Sequence, residues 1–200
     1  MKRVFSSHEE VARVWASQTQ EEGRGKRVFF RGPVIYSHGT HFPIARIISS
    51  TAVFTTKTYS PSTNQHVSHA NRAVSHMHKL HVLDPVGSAD SQFDDTCRQV
   101  ISLLKSAKRA RVNKPYLLAR AEDKASDFNA YAELTGEKCR IPSGTVHSLK
   151  ANNGEPCWPT TELSVDSIKQ FLELREAERE RQNKLRWMKD RVLHGASRYS

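Results

Sequence analysis

Five histidines stand in the sixteen residues from His66 to His81, HVSHANRAVSHMHKLH. Imidazole ligates transition metals and exchanges a proton near neutral pH, so this run poses a choice between a metal site, an acid–base site and neither. On a helix each residue advances about 100°. His66 with His69, and His78 with His81, then form i, i+3 pairs, and the i, i+4 spacing of helical zinc motifs does not occur. The two pairs would lie ~18 Å apart at about 1.5 Å per residue, too far to share an ion. The run holds no cysteine or carboxylate to complete a tetrahedral set. It predicts no metal site and asks for no cofactor. His69, His76 and His78 read as half-exposed helix residues.

His66 is different. Ser62 and Gln65 are spaced as a capping box behind Pro61, which predicts a helix that opens there and runs to about Leu80. Val67, Ala70, Ala73, Val74, Met77 and Leu80 make its apolar face, and His66 lies within that face in the first turn. Burial and the positive end of the helix dipole both favour a neutral ring there. A neutral, oriented imidazole is a general base or a fixed hydrogen-bonding group. The reading places His66 in the core, close to His41 or Tyr59 and hydrogen-bonded at both ring nitrogens.

The stretch FFRGPVIYSHGTHFPIARII, followed by VFTTKTYSPSTNQH, resembles a largely phage-borne family with the pattern FFxG, IYSxGxHFxIA and YSxxTxxH. The match covers roughly residues 28 to 66, about a fifth of the chain. It falls on Gly32, Tyr36, Ser37, Gly39, His41, Phe42, Ile44, Ala45, Tyr59, Ser60, Thr63 and His66. His38 stands where the family carries tyrosine, and Ser62 replaces a threonine. The resemblance implies a phage context and brings no activity with it. Read from their chemistry, His41, Tyr59, Ser60 and His66 are the candidate catalytic group. Two imidazoles acting as acid and base, with hydroxyls and a helix N-terminus to hold phosphate, would suit metal-independent phosphodiester cleavage. The same hydroxyls also serve as ordinary caps and turns.

A second constellation is electrostatic. Arg98, Lys105, Lys108, Arg109, Arg111, Lys114 and Arg120 fall in a stretch without one acidic residue. The first six are the candidate nucleic-acid-binding residues. Such a run contacts phosphate without reading bases. With only Tyr116 nearby, it does not predict a stacking platform for single strands.

The elements that must carry these groups follow from local patterns. Ser6 with Glu9, or Ser7 with Glu10, opens a helix over about 6–18 whose face is Val11, Val14 and Trp15. QTQEEGRGK breaks it. Residues 26–58 alternate β-branched and aromatic runs with turn residues and predict three or four antiparallel strands, with Pro43 at an edge or a bulge. Helices are expected over about 90–110, acidic at the start and basic at the end, and from Pro115 to Gly136. A last helix is expected over about 164–193, whose Leu185, Trp187, Met188 and Val192 form a late apolar patch.

The 200 residues carry a net charge of +10 and a pI near 9.7, with 37% hydrophobic residues. Basic charge of this size implies an anionic partner. Cys97, Cys139 and Cys157 are odd in number and hold no C-x-x-C, which favours a reducing compartment. The N-terminal residues lack the apolar segment of a secretory signal, and no run nears the ~18 apolar residues of a membrane span. The cytoplasm, a host's if the chain is phage-encoded, is the expected location. The expected fold is α+β: a small antiparallel sheet packed against helices over residues 1–136, a linker over 137–163, and a protruding basic C-terminal helix over 164–200. The expected function is an accessory protein that binds nucleic acid or an acidic host protein without catalysis. A small nuclease using two histidines, or a virion or scaffold component assembling through the C-terminal helix, are the alternatives.

Overall fold

A computed structural model describes residues 3–57, 60–142 and 163–196. The chain divides into two compact units, residues 1–141 and 142–200. The first unit is an α+β domain. Its helices and strands are α1 (His8–Ser17), β1 (Glu22–Arg24), β2 (Val28–Arg31), β3 (Val34–Ser37), β4 (Pro43–Ile48), β5 (Thr51–Thr55), α2 (Pro61–Ala73), β6 (His78–Val82), α3 (Ala89–Arg109) and α4 (Lys114–Leu134). The six strands form one sheet in the order β1-β2-β3-β4-β5-β6. Every neighbouring pair is antiparallel except β5 and β6, which run parallel.

The expected hairpins form where turn chemistry allows them. Gly32, at φ +50°, and Pro33 close β2 onto β3, with Arg31 opposite Val34. The glycine supplies the positive φ that a two-residue connection needs. Pro43 stands first in β4, a central strand, so it removes no interior ladder bond; the register slips beside it, between Ile35 and Tyr36. The bulge reading of Pro43 is the one realised, and the edge reading is not.

One element departs from the expectation. The helix predicted to reach Leu80 ends at Ala73, and the chain re-enters the sheet as β6. There HKLHV alternates in exposure, with Leu80 and Val82 buried and His78 and His81 exposed. A period of two fits a strand as well as a short piece of helix pattern, and pairing with β5 decides between them. Leu80 lies opposite Val53 and Val82 opposite Thr55. The outer edge of β6 is then satisfied by α4: the His81 N–H donates to Asp127 Oδ2 at 2.9 Å. The other edge is shielded by the N-terminal segment, where Phe5 N–H donates to the Arg24 carbonyl and Arg24 N–H to that of Arg3. Strand β1 was not foreseen in the polar stretch that holds it. Only Gly23 points inward there, against Phe5 and Phe30 at a distance that leaves no room for a Cβ.

The core gathers Phe5, Val11, Trp15, Phe30, Ile35, Ile44, Phe54, Ala70 and Val74 between α1, α2 and one face of the sheet. Trp15 is fully buried and its indole N–H donates to the Pro33 carbonyl at 2.8 Å. The α3–α4 hairpin packs on itself through Phe93 and Phe128, whose rings meet edge to face at 5.6 Å. Tyr131 joins it to the loop after β6 by donating to the Gly87 carbonyl.

The first unit continues past Gly136 into the stretch expected to be a linker. Glu137 accepts from the backbone N–H groups of Ala89, at 2.6 Å, and Asp90, at 2.7 Å. A carboxylate thus caps the first turn of α3, where the helix dipole favours negative charge. Ile141 is buried and exchanges two hydrogen bonds with the Asn129 side chain. The second unit contains α5 (Val165–Ala196), capped by Ser164 accepting from Ser167 N–H at 3.1 Å, with Ile168 buried and Leu185, Trp187 and Met188 exposed. Among the described residues no helix is long and apolar enough to cross a membrane. Replacing Glu137 with Ala should remove two charge-assisted bonds and cost about 2 kcal/mol, seen as a lower urea midpoint with an unchanged slope. An unchanged midpoint would show that α3 needs no such cap.

Candidate functional site

Ser37 ends β3 with His38 in the turn that follows, Ser60 caps α2, and His8 opens α1, and these three points converge. Ser60, one place before Pro61, accepts from Thr63 N–H in the first turn of α2, so it and not the expected Ser62 is the cap. That start turns Thr63, His66 and Ala70 inward, and all three are buried. His66 is only 3% exposed. Its Nδ1 lies 2.7 Å from Ser37 Oγ, a bond that ties α2 to the end of β3. The His8 ring meets it edge to face with centroids 4.5 Å apart, and the His38 ring stands 5.4 Å away. His69, one turn on, is 6.4 Å from His8.

A chain of hydroxyls links the histidines. Ser37 donates to Thr63 at 3.5 Å, Thr63 lies 3.2 Å from Ser60, Ser60 lies 2.9 Å from Ser62, and Ser62 reaches His38 Nε2 at 3.5 Å. The two 3.5 Å contacts are at the limit of a hydrogen bond. His69 accepts from the Arg72 guanidinium through Nδ1 at 2.9 Å, which leaves Nε2 as its protonated nitrogen.

The electrostatics run one way. Burial first, then the neighbouring His8, His38, His69 and Arg27, push the His66 pKa down to about 4. Burial, His69, Arg27, His38 and Lys26 lower that of His8. His66 is therefore a neutral ring at pH 7, held by Ser37. Among the described residues, no group of three or more His, Cys, Asp or Glu is placed to hold a metal ion.

Of the four candidate catalytic residues, Ser60 and His66 come together through Thr63 and Ser37. His41 is exposed in the β3–β4 turn, its ring 4.1 Å from that of Phe42 and packed over Gly39 so closely that a Cβ there would clash. Tyr59 lies outside the described residues. His8, Ser37 and His38 complete the cluster and were not singled out as its members. His8 is separated from α2 by the whole antiparallel sheet in sequence, so no spacing rule reaches it.

The candidate nucleic-acid-binding residues occupy the α3–α4 hairpin. Arg98, Lys105, Lys108 and Arg109 lie on α3, Arg111 in the connection and Lys114 at the start of α4, and all six are exposed. Arg98 is partly neutralised by Asp95, 2.5 Å away. Tyr116 is 62% exposed with the Arg120 guanidinium 5.6 Å over its ring, which adds an aromatic and a seventh cation to the same end. Neither a family model, nor a curated protein, nor a solved structure matches the chain.

The histidine cluster sets a pH dependence. His66 has a folded pKa near 4, below the usual 6.5. Its contribution to stability is complete above about pH 6.5 and is lost as pH falls toward 4, because only the unfolded chain takes up the proton in that window. His66→Gln lacks this term. Urea midpoints at pH 7.5 and 4.5 should show the variant gaining on the parent at low pH. A difference that does not change with pH would mean that His66 titrates alike in both states.

Proposed function

We propose that the protein is a phage-type accessory protein that binds nucleic acid through its phosphate backbone, without catalysis, using the α3–α4 end. The observation that carries this reading is the set of six exposed cations, Arg98 to Lys114, in a stretch without a carboxylate. Apart from Arg98, which pairs with Asp95, they attract counterions, and a polyanion that displaces those counterions gains affinity from their release. Val112, 87% exposed, and Tyr116 provide a little apolar surface beside them. A lone tyrosine supports tracking of the backbone rather than stacking of successive bases.

A second reading has an observation of its own. His8 and His38 flank the neutral His66 and His38 meets the Ser62 hydroxyl, an arrangement compatible with metal-independent phosphodiester cleavage. His66 is too buried to touch a substrate and would act there by positioning the outer rings. RNA that survives prolonged incubation with the pure protein in chelator opposes this reading; cleavage lost in His38→Gln supports it.

For the leading reading, Lys108, Arg109 and Arg111 are reversed together to Glu. Affinity for a random duplex or single strand should fall, and the slope of log K against log salt should flatten by about one unit per lost contact. Binding that is unchanged at low and high salt would end the proposal. Loss of an acidic protein partner, with nucleic-acid binding intact, would transfer the surface to the protein-binding alternative.

A further inference from the structure

The histidine cluster gathers bases from every element around it. α1 contributes His8, the β1–β2 turn Lys26 and Arg27, the turn after β3 His38, and α2 His66, His69 and Arg72. One carboxylate of α1 stands near and is engaged: Glu9, which senses Arg72 and His69, is bonded to Arg13 at 2.6 Å. The charged neighbours that act on His66 and His8 are bases, so each protonation opposes the next. The chain also holds His38 at φ +63°, a region that side chains other than glycine seldom adopt. Its N–H donates to the Arg27 carbonyl at 2.7 Å, which fixes the ring beside His66 and Ser62. A backbone in a sparsely populated region that aims a side chain into a crowded group of bases is a feature found at ligand sites.

We propose that His8, His38 and His69, floored by His66 and flanked by Lys26 and Arg27, form a binding site for a tetrahedral phosphate group. The donors suit an oxyanion: ring N–H groups, a guanidinium, an ammonium and the Ser62 hydroxyl. An anion among them turns the mutual repulsion of protonated rings into attraction. His69 is set to donate through Nε2, because its Nδ1 accepts from Arg72. His66 does not reach the anion; it is a positioning residue whose ring contacts set His8 and His38. The site shares no residue with the α3–α4 surface, so the two proposals stand or fall separately.

Histidine ring resonances of the full chain are followed by NMR during addition of inorganic phosphate, with chloride at matched ionic strength as reference. The His8 and His38 rings should shift saturably with phosphate and not with chloride. The Kd should fall by up to about tenfold per pH unit between pH 7 and 5.5 for each proton taken up on binding. His8→Gln and His38→Gln should each weaken phosphate binding by about tenfold, while His76→Gln, exposed and outside the cluster, leaves it unchanged. Arg27→Gln serves as a second probe should His8→Gln disturb α1. A dinucleoside monophosphate in a parallel titration separates the sources. Saturable shifts of the same rings identify a backbone phosphodiester, and a response to inorganic phosphate alone identifies a free or terminal phosphate; both support the site. Shifts equal to those in chloride overturn it, as does a phosphate response that disappears when Lys108, Arg109 and Arg111 are reversed.

Discussion

Every residue of β5 is buried, and the rest of the domain can be read as the means of covering that strand. Ala52 and Phe54 face the core under α1 and α2. Val53 faces the opposite way, as do Leu80 and Val82 beside it, on the side where α4 packs against β6. A strand buried on both faces cannot also leave an edge unpaired, because its N–H and C=O groups would have neither water nor partner. β4 satisfies one edge. The other is satisfied by β6, and a parallel neighbour requires a crossover, which is α2. Asp127 of α4 then accepts a backbone N–H from the new edge strand.

This constraint also builds the histidine cluster. β3 and β5 are both antiparallel to β4, so they run in the same direction and end on the same side of the sheet. The crossover helix has to begin where β5 ends. Its first turn is therefore delivered to the end of β3, and the Ser37–His66 bond closes the contact. α1, which shares the core face with α2, brings His8 to the same end. The positions of the cluster's side chains are consequences of how the sheet is closed, and the loop conformation of His38 is the local adjustment added to them.

The two basic regions differ in what holds them. On the α3–α4 end the cations are exposed and separated, so water and salt screen their repulsion and little stability is lost. In the cluster the rings touch and one of them is buried, so the repulsion acts through less water. There the protein keeps His66 neutral and ties it to a serine, and it exposes the outer rings to the medium.

The residue pattern by itself determined the features that depend on neighbours a few places away. The cap at Ser7, the Gly32-Pro33 turn, the four strands from Val28 to Thr55 and the helices α3 and α4 are all written in spacing and turn chemistry, whereas the cap of α2 is Ser60 and not the expected Ser62. The burial of His66 was also legible, because it follows from one helical face. What joins distant segments was decided only by the tertiary structure. HKLHV has a pattern short enough for helix or strand, and became a strand because β5 lay open beside it. Glu137 looked like the start of a linker, and became a helix cap because α4 returns it to the start of α3. His66 was expected close to His41 or Tyr59, because its helix face looks onto strands that carry hydroxyl and histidine side chains. Tyr59 lies outside the described residues, and in place of His41 the ring meets Ser37, His8 and His38, because strand direction and helix packing bring those residues together, and neither leaves a mark at any fixed spacing along the chain.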